Sequence, residues 1–315
     1  MSWLDWLKPA PPIDAAQRAL ITRAVAAVDP LLKTLPGFER TLAPAVTSAF
    51  NYCQELAARI PGPVPINRGA FASEPLVHAL FGSADDIEIM LGRSQCLRGE
   101  ALRDLSLHPE SSCALLGVRR HEKTGFGARL SGEIIRYDEP QTTLYFSDHT
   151  LAAPSPDSDT ARRHLTDLLY DGLLKGFVAH LSEVRAERQQ LRDEHLLATT
   201  FGSGIEAHTR RLDELAARLR ATSDALLPQN LLQTLRDYLS APRVLLRLEP
   251  VQVAVDRAGV IVNSPDKTGP TDTLRFLELT ARDQRRWVVV IAQFDPVEAL
   301  SAIDRLDEAR RHIIL

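Results

Sequence analysis

The sequence predicts an α+β protein: an N-terminal helical domain, two antiparallel β-meanders forming one platform, and a long antiparallel helical hairpin inserted between them. Three observations carry that expectation. Apolar residues recur three and four apart before residue 100 and again between Asp159 and Leu239. Two other stretches switch to short runs rich in β-branched and aromatic residues, separated by turn chemistry. Between the two longest helical patterns, Phe201-Gly202-Ser203-Gly204 supplies glycines that let the chain reverse. The expected organisation is a helical domain over 1–110, a first meander over 111–154, a coiled-coil-like hairpin over 155–241, and a second meander with a closing helix over 242–315.

The first segment opens on a proline-rich break at Pro9, Pro11 and Pro12. Leu20, Ile21, Ala24, Val25 and Val28 then share a helix face until Pro30 restarts the pattern, and Val46, Phe50, Cys53 and Leu56 mark a second helix. Three prolines in Pro61-Gly62-Pro63-Val64-Pro65 rule out helix there, because they lack amide donors and restrict their predecessors. Ser83-Ala84-Asp85-Asp86 reads as a helix cap with acidic residues suited to the dipole.

Strand character follows over Cys113–His121, Phe126–Tyr137 and Thr142–Leu151. Glu122-Lys123-Thr124-Gly125 and Asp138-Glu139-Pro140-Gln141 separate them, which predicts three strands joined by two tight turns. The outgoing arm of the hairpin carries Leu174, Phe177, Leu181, Val184 and Leu191, and the return arm Leu212, Leu215, Leu219 and Leu226. At ~1.5 Å per residue the outgoing arm is about 60 Å long, so it either projects or is flanked by the N-terminal helices. Pro228 interrupts the return arm. Strands are expected again at Arg243–Asp256, Val260–Ser264, Thr273–Ala281 and Arg285–Phe294, with Pro250 demanding a bulge or an edge position. Asp295-Pro296 caps the last helix.

Composition narrows the function classes. With 44% hydrophobic and 25% charged residues the chain has what a folded core requires, which excludes global disorder. A formal net charge of -4 gives no general attraction to polyanions. Cys53, Cys96 and Cys113 are odd in number and widely spaced, so neither a disulfide framework nor a zinc module is expected. The first residues lack the pattern of a signal peptide, no run reaches the ~20 apolar residues of a bilayer span, and a cytoplasmic location is expected.

No motif for catalysis, metal or cofactor stands out. His121-Glu122 begins like a zinc-protease motif, but Gly125 occupies the second histidine's position. Gly125-Phe126-Gly127 lacks the spacing and the following helix of a phosphate loop. Asp148 and His149, with Ser147 or Cys113, are the only fragments of an acid–base site. Arg119 and Arg120 on one strand and Arg285 and Arg286 on another would form one basic edge if the meanders converge; the acidic net charge favours reading them instead as solvated, aggregation-resisting strand edges.

The remaining candidates are apolar. Trp3 and Trp6 form a short hook cut off by Pro9, able to dock on a partner or on the protein's own body. Beyond Ser182 the outgoing arm becomes strongly polar, then turns apolar at Leu196, Leu197, Phe201 and Ile205. Apolar residues ending a polar stalk resemble a contact surface. The expectation is a non-enzymatic cytosolic interaction or scaffold protein that self-associates or binds a protein partner through the hairpin. The alternatives are a nucleic-acid or nucleotide-sensing module using the basic strand edges, and an enzyme of a family the motifs do not reveal.

Overall fold

The computed structural model describes residues 12–98, 111–131, 134–201, 206–256, 258–262, 271–282 and 285–313. The mixed α+β architecture is present, with helices before and between the strands and, among the described residues, one mainly antiparallel sheet gathering both strand groups. By proximity the chain forms two compact units. One takes the residues up to Cys53 with Leu169–Leu245, and the other takes Gln54–Leu168 with Leu246 onward.

The first unit is helical. Helix α1 (Ala15–Val28) starts at Asp14, whose carboxylate accepts the Gln17 amide, and buries Ile21, Ala24, Val25 and Val28. A 3-10 turn over Pro30–Thr34 begins with proline, where a missing amide costs nothing. Next comes α2 (Phe38–Arg59), whose Phe50 ring meets Tyr170 edge-on at 5.7 Å. Tyr170 lies on α6 (Ser158–Phe201), and its hydroxyl donates to the Leu20 carbonyl at 3.3 Å. The return helix α7 (Glu206–Ala225) ends before Pro228, which opens α8 (Pro228–Ser240). Phe177 and Tyr238 pack edge to face at 5.0 Å, and the Tyr238 hydroxyl donates to the Leu173 carbonyl. A short helix, α9 (Pro242–Leu245), closes the unit, with the Arg243 guanidinium 4.9 Å over the Tyr52 ring.

In the second unit short helices precede the sheet: α3 (Arg68–Ser73), α4 (Pro75–Leu80) and α5 (Ala84–Arg93). The Ser83 hydroxyl caps α5 as expected, accepting the Asp86 amide. The strands are β1 (Val64–Pro65), β2 (Ser112–Ser131), β3 (Ile134–Ser155), β4 (Leu246–Asp256), β5 (Thr271–Ala281) and β6 (Arg286–Phe294), and α10 (Pro296–Ile313) ends the chain. Their order is β3-β2-β6-β5-β4. Strand β6 is central, and five consecutive buried residues from Val288 to Ala292 reflect cover on both faces. Beyond Val289 the side of β6 that carries β5 passes to β1, paired in parallel with Val64 opposite Ala292.

One expectation is corrected here. Residues 112–155 form two long strands, not three. Glu122–Gly125 and Asp138–Gln141 lie opposite each other inside one ladder, with Glu122 facing Leu144 and Gly125 facing Gln141. Two turn-like segments that pair with each other satisfy their amides across the ladder, so neither has to reverse the chain. The residual turn character appears as bulges. The register slips three times, and each slip places one left-handed residue on β3: Asp138 (φ 62°), Asp148 (φ 54°) and Ala153 (φ 52°). Pro250 sits on β4 without any slip, and no described strand pairs the other side of β4 at that residue.

The two outer strands meet. After β4, Asp256 accepts the Gly259 amide, and Val260 and Ile261 form isolated bridges to Thr143 and Val255. Leu144 donates to the Gly259 carbonyl and Ile261 to the Thr142 carbonyl, each at 2.8 Å. Residues 259–262 therefore join β4 to β3 and close the sheet on itself, removing part of two exposed edges. The enclosed face carries Leu116, Val118, Val290 and Phe276, continuous with α4, α5 and α10 through Val77, Met90 and Ala302.

Candidate functional site

The helical hairpin separates into a base and an arm. At the base, Leu173, Leu174, Phe177 and Leu181 are buried against the first unit's other helices. Beyond Ser182 only the seam is covered. Arg218 on α7 donates to Glu187 on α6 at 2.9 Å, and this antiparallel register sets Leu191 opposite Leu215, both buried. Leu191 and Leu215 thus close the seam at this level of the arm, with Leu212 and Leu219 half-buried beside it. Leu196 and Leu197, one turn beyond, remain 65% and 58% exposed. Phe201 ends α6, with its side chain outside the described residues, as are Trp3, Trp6 and Ile205.

The four arginines occupy adjacent strands, as convergence of the two strand groups requires, but they do not act as one patch. Neighbouring strand residues point to opposite faces. Arg119 pairs with Asp148 at 3.5 Å on the outside. Arg120 turns to the enclosed face, where its Nε lies 3.0 Å from Glu278 Oε1 and its guanidinium 5.9 Å over the Phe276 ring. That contact is close in distance but lacks the alignment of a hydrogen bond, and it leaves Glu278 Oε1 buried without one. Arg285 and Arg286 are exposed at the start of β6.

The acid–base fragments are held apart. Cys113 faces Ser155, whereas Asp148 and His149 bulge out opposite Val118, five strand residues away or roughly 16 Å at ~3.3 Å per residue. His149 Nε2 donates to the Leu80 carbonyl at 2.6 Å, and its ring stacks on Phe81 at 4.7 Å. The Ser147 hydroxyl is bound to His121 Nε2 at 2.8 Å. Burial pushes the Cys113 thiol pKa up, away from thiolate chemistry.

A cavity of about 710 Å³ opens where α3, α4 and the closed sheet meet. Leu80, Phe81, Leu144, Phe146, Val255 and Leu274 form its apolar lining, while Glu74, His78, Tyr145, Asp256 and Asp272 contribute polar groups. The Asp256 carboxylate is committed to the turn, accepting the Ala258 and Val260 amides at 2.9 Å. No sequence pattern marks this cavity, since its residues come from four separate segments with no shared spacing. The one local signal was Asp256-Arg257-Ala258-Gly259, a turn whose importance depends on where Gly259 docks. Gly259 has φ +75°, and its carbonyl accepts the Leu144 amide.

Compared with models of known protein families, with characterised proteins and with solved structures, the chain matches none. No described helix is long and apolar enough to cross a membrane.

Proposed function

We propose that the protein is a non-enzymatic interaction protein that self-associates through the end of its helical arm. The observation that supports this is the contrast between a seam closed at Leu191 and Leu215 and the outward leucines Leu196 and Leu197 just beyond it. The arm's charges favour a second copy as the partner. Acidic and basic side chains alternate along both helices, as in Glu183, Arg185, Glu187 and Arg188 or Arg211, Asp213, Glu214 and Arg218, so two arms can align without like-charge repulsion.

Magnitude sets the affinity to expect. Burying four leucines in a symmetric contact contributes about 6–12 kcal/mol at most. Association costs roughly 4–15 kcal/mol. At its favourable end the difference is about 8 kcal/mol, which corresponds to self-association in the micromolar range. Light scattering from about 1 to 100 µM should show mass rising with concentration, and Leu196→Ser with Leu197→Ser should hold the chain monomeric with an unchanged circular dichroism spectrum. A wild-type chain that stays monomeric across that range would refute the proposal. The nucleic-acid alternative is less well supported, because Arg119 and Arg120 already face Asp148 and Glu278.

A further inference from the structure

We infer that the cavity beneath the closed edge of the sheet binds a small organic cation, an ammonium group carried on an alkyl or arylalkyl body. At about 710 Å³ it lies within the ~300–1,000 Å³ of ordinary small-molecule sites. It is too large for a bare ion and suited to a ligand with an apolar body. Leu80, Phe81, Leu144, Phe146 and Leu274 would cover that body.

Charge decides the class. Among the described residues no lysine or arginine lines the cavity, whereas Glu74 and Asp272 do. Neither carboxylate has a side-chain hydrogen bond or ion pair among the described residues, unlike Asp256, whose oxygen is spent on the turn. Two exposed carboxylates at the rim of an apolar cavity favour a cation over a phosphate or carboxylate there.

The walls are fixed before any ligand arrives. His149 holds Leu80 by its carbonyl and Phe81 by stacking, and Gly259 is tied to Leu144 across the closure. Ordering these segments therefore costs little on binding. The site is independent of the helical arm, since every residue named belongs to the second unit.

The test uses the full chain and three probes of similar shape: 4-phenylbutylamine, 4-phenylbutanol and 4-phenylbutyrate. Amide chemical shifts should respond saturably to the amine at residues 78–82, 144–146 and 272–274, weakly to the alcohol, and not at all to the carboxylate. Asp272→Asn and Glu74→Gln are exposed or rim substitutions that leave the fold intact, and each should weaken the amine roughly fivefold, the scale of one partly exposed ion pair. Shifts elsewhere in the chain, equal affinity for amine and alcohol, unchanged affinity in both variants, or no response to the amine at millimolar concentration would each overturn the inference.

Discussion

Cys53 shows how far burial alone can change a side chain. It is fully buried, and loss of hydration pushes its thiol pKa from the ordinary 9.0 up to about 12. The thiolate is what burial penalises, so the folded state holds its proton more tightly than the unfolded chain does. Nothing follows below pH 9. Between pH 9 and 12 the unfolded state ionises first, and stability falls by about 1.4 kcal/mol per pH unit. Tyr170, on the same unit, is also shifted upward by burial, with Arg23 acting in the opposite direction. Comparison with Cys53→Ala isolates the thiol. In urea melts from pH 8 to 10.5 the wild type should lose about 2 kcal/mol more than the variant. Parallel losses would show that Cys53 ionises in the folded state as it does in the unfolded one.

At the scale of the element, β3 has the most to explain. Its three bulges each contain a left-handed residue, and between those at Asp138 and Asp148 residues 142–144 bridge to 259–261. Asp tolerates that conformation, but Ala153 does so at a cost of about 1–2 kcal/mol. Ala153→Gly should therefore raise stability, by about 0.5–1 kcal/mol after the greater flexibility of glycine in the unfolded chain is counted. A lower urea midpoint for Ala153→Gly would mean that the methyl group packs more favourably than the backbone is strained. This strand also marks the limit of what the sequence reveals. Its extended runs were legible from alternation and β-branched content, as were the caps at Ser83 and Asp295 and the interruption at Pro228. The pairing of Glu122–Gly125 with Asp138–Gln141 was not, because local turn chemistry cannot indicate that its partner is another turn-like segment. The arm was readable as leucine spacing, whereas the cavity arises only when 72–82, 144–146, 255–259 and 272–274 are brought together.

For the whole molecule, the decisive feature is that both units are assembled from distant stretches of chain. In the second unit β2 pairs with β6 from Ser112–Phe294 to Val118–Val288, so the sheet forms only after the entire hairpin has been synthesised. Contacts this remote in sequence make folding slow, since loop closure must precede any gain from pairing. The same arrangement makes continuity at the end of the arm dispensable. The first unit is held by Phe50 on Tyr170 and Phe177 on Tyr238, and the second by β2 on β6, all contacts that draw residues from the two sides of Ser203 or lie wholly before it. A protease site inserted between Ser203 and Gly204, cut after folding, should therefore give two fragments that elute together and retain the sheet's hydrogen-exchange protection at Val288–Ala292. Denaturation should separate them, with slow or incomplete recovery, because reassociation becomes bimolecular and loses the effective concentration that the intact hairpin supplies. Fragments that part under native conditions would show that the connection at the arm, and not the pairing of β2 with β6, holds the molecule together.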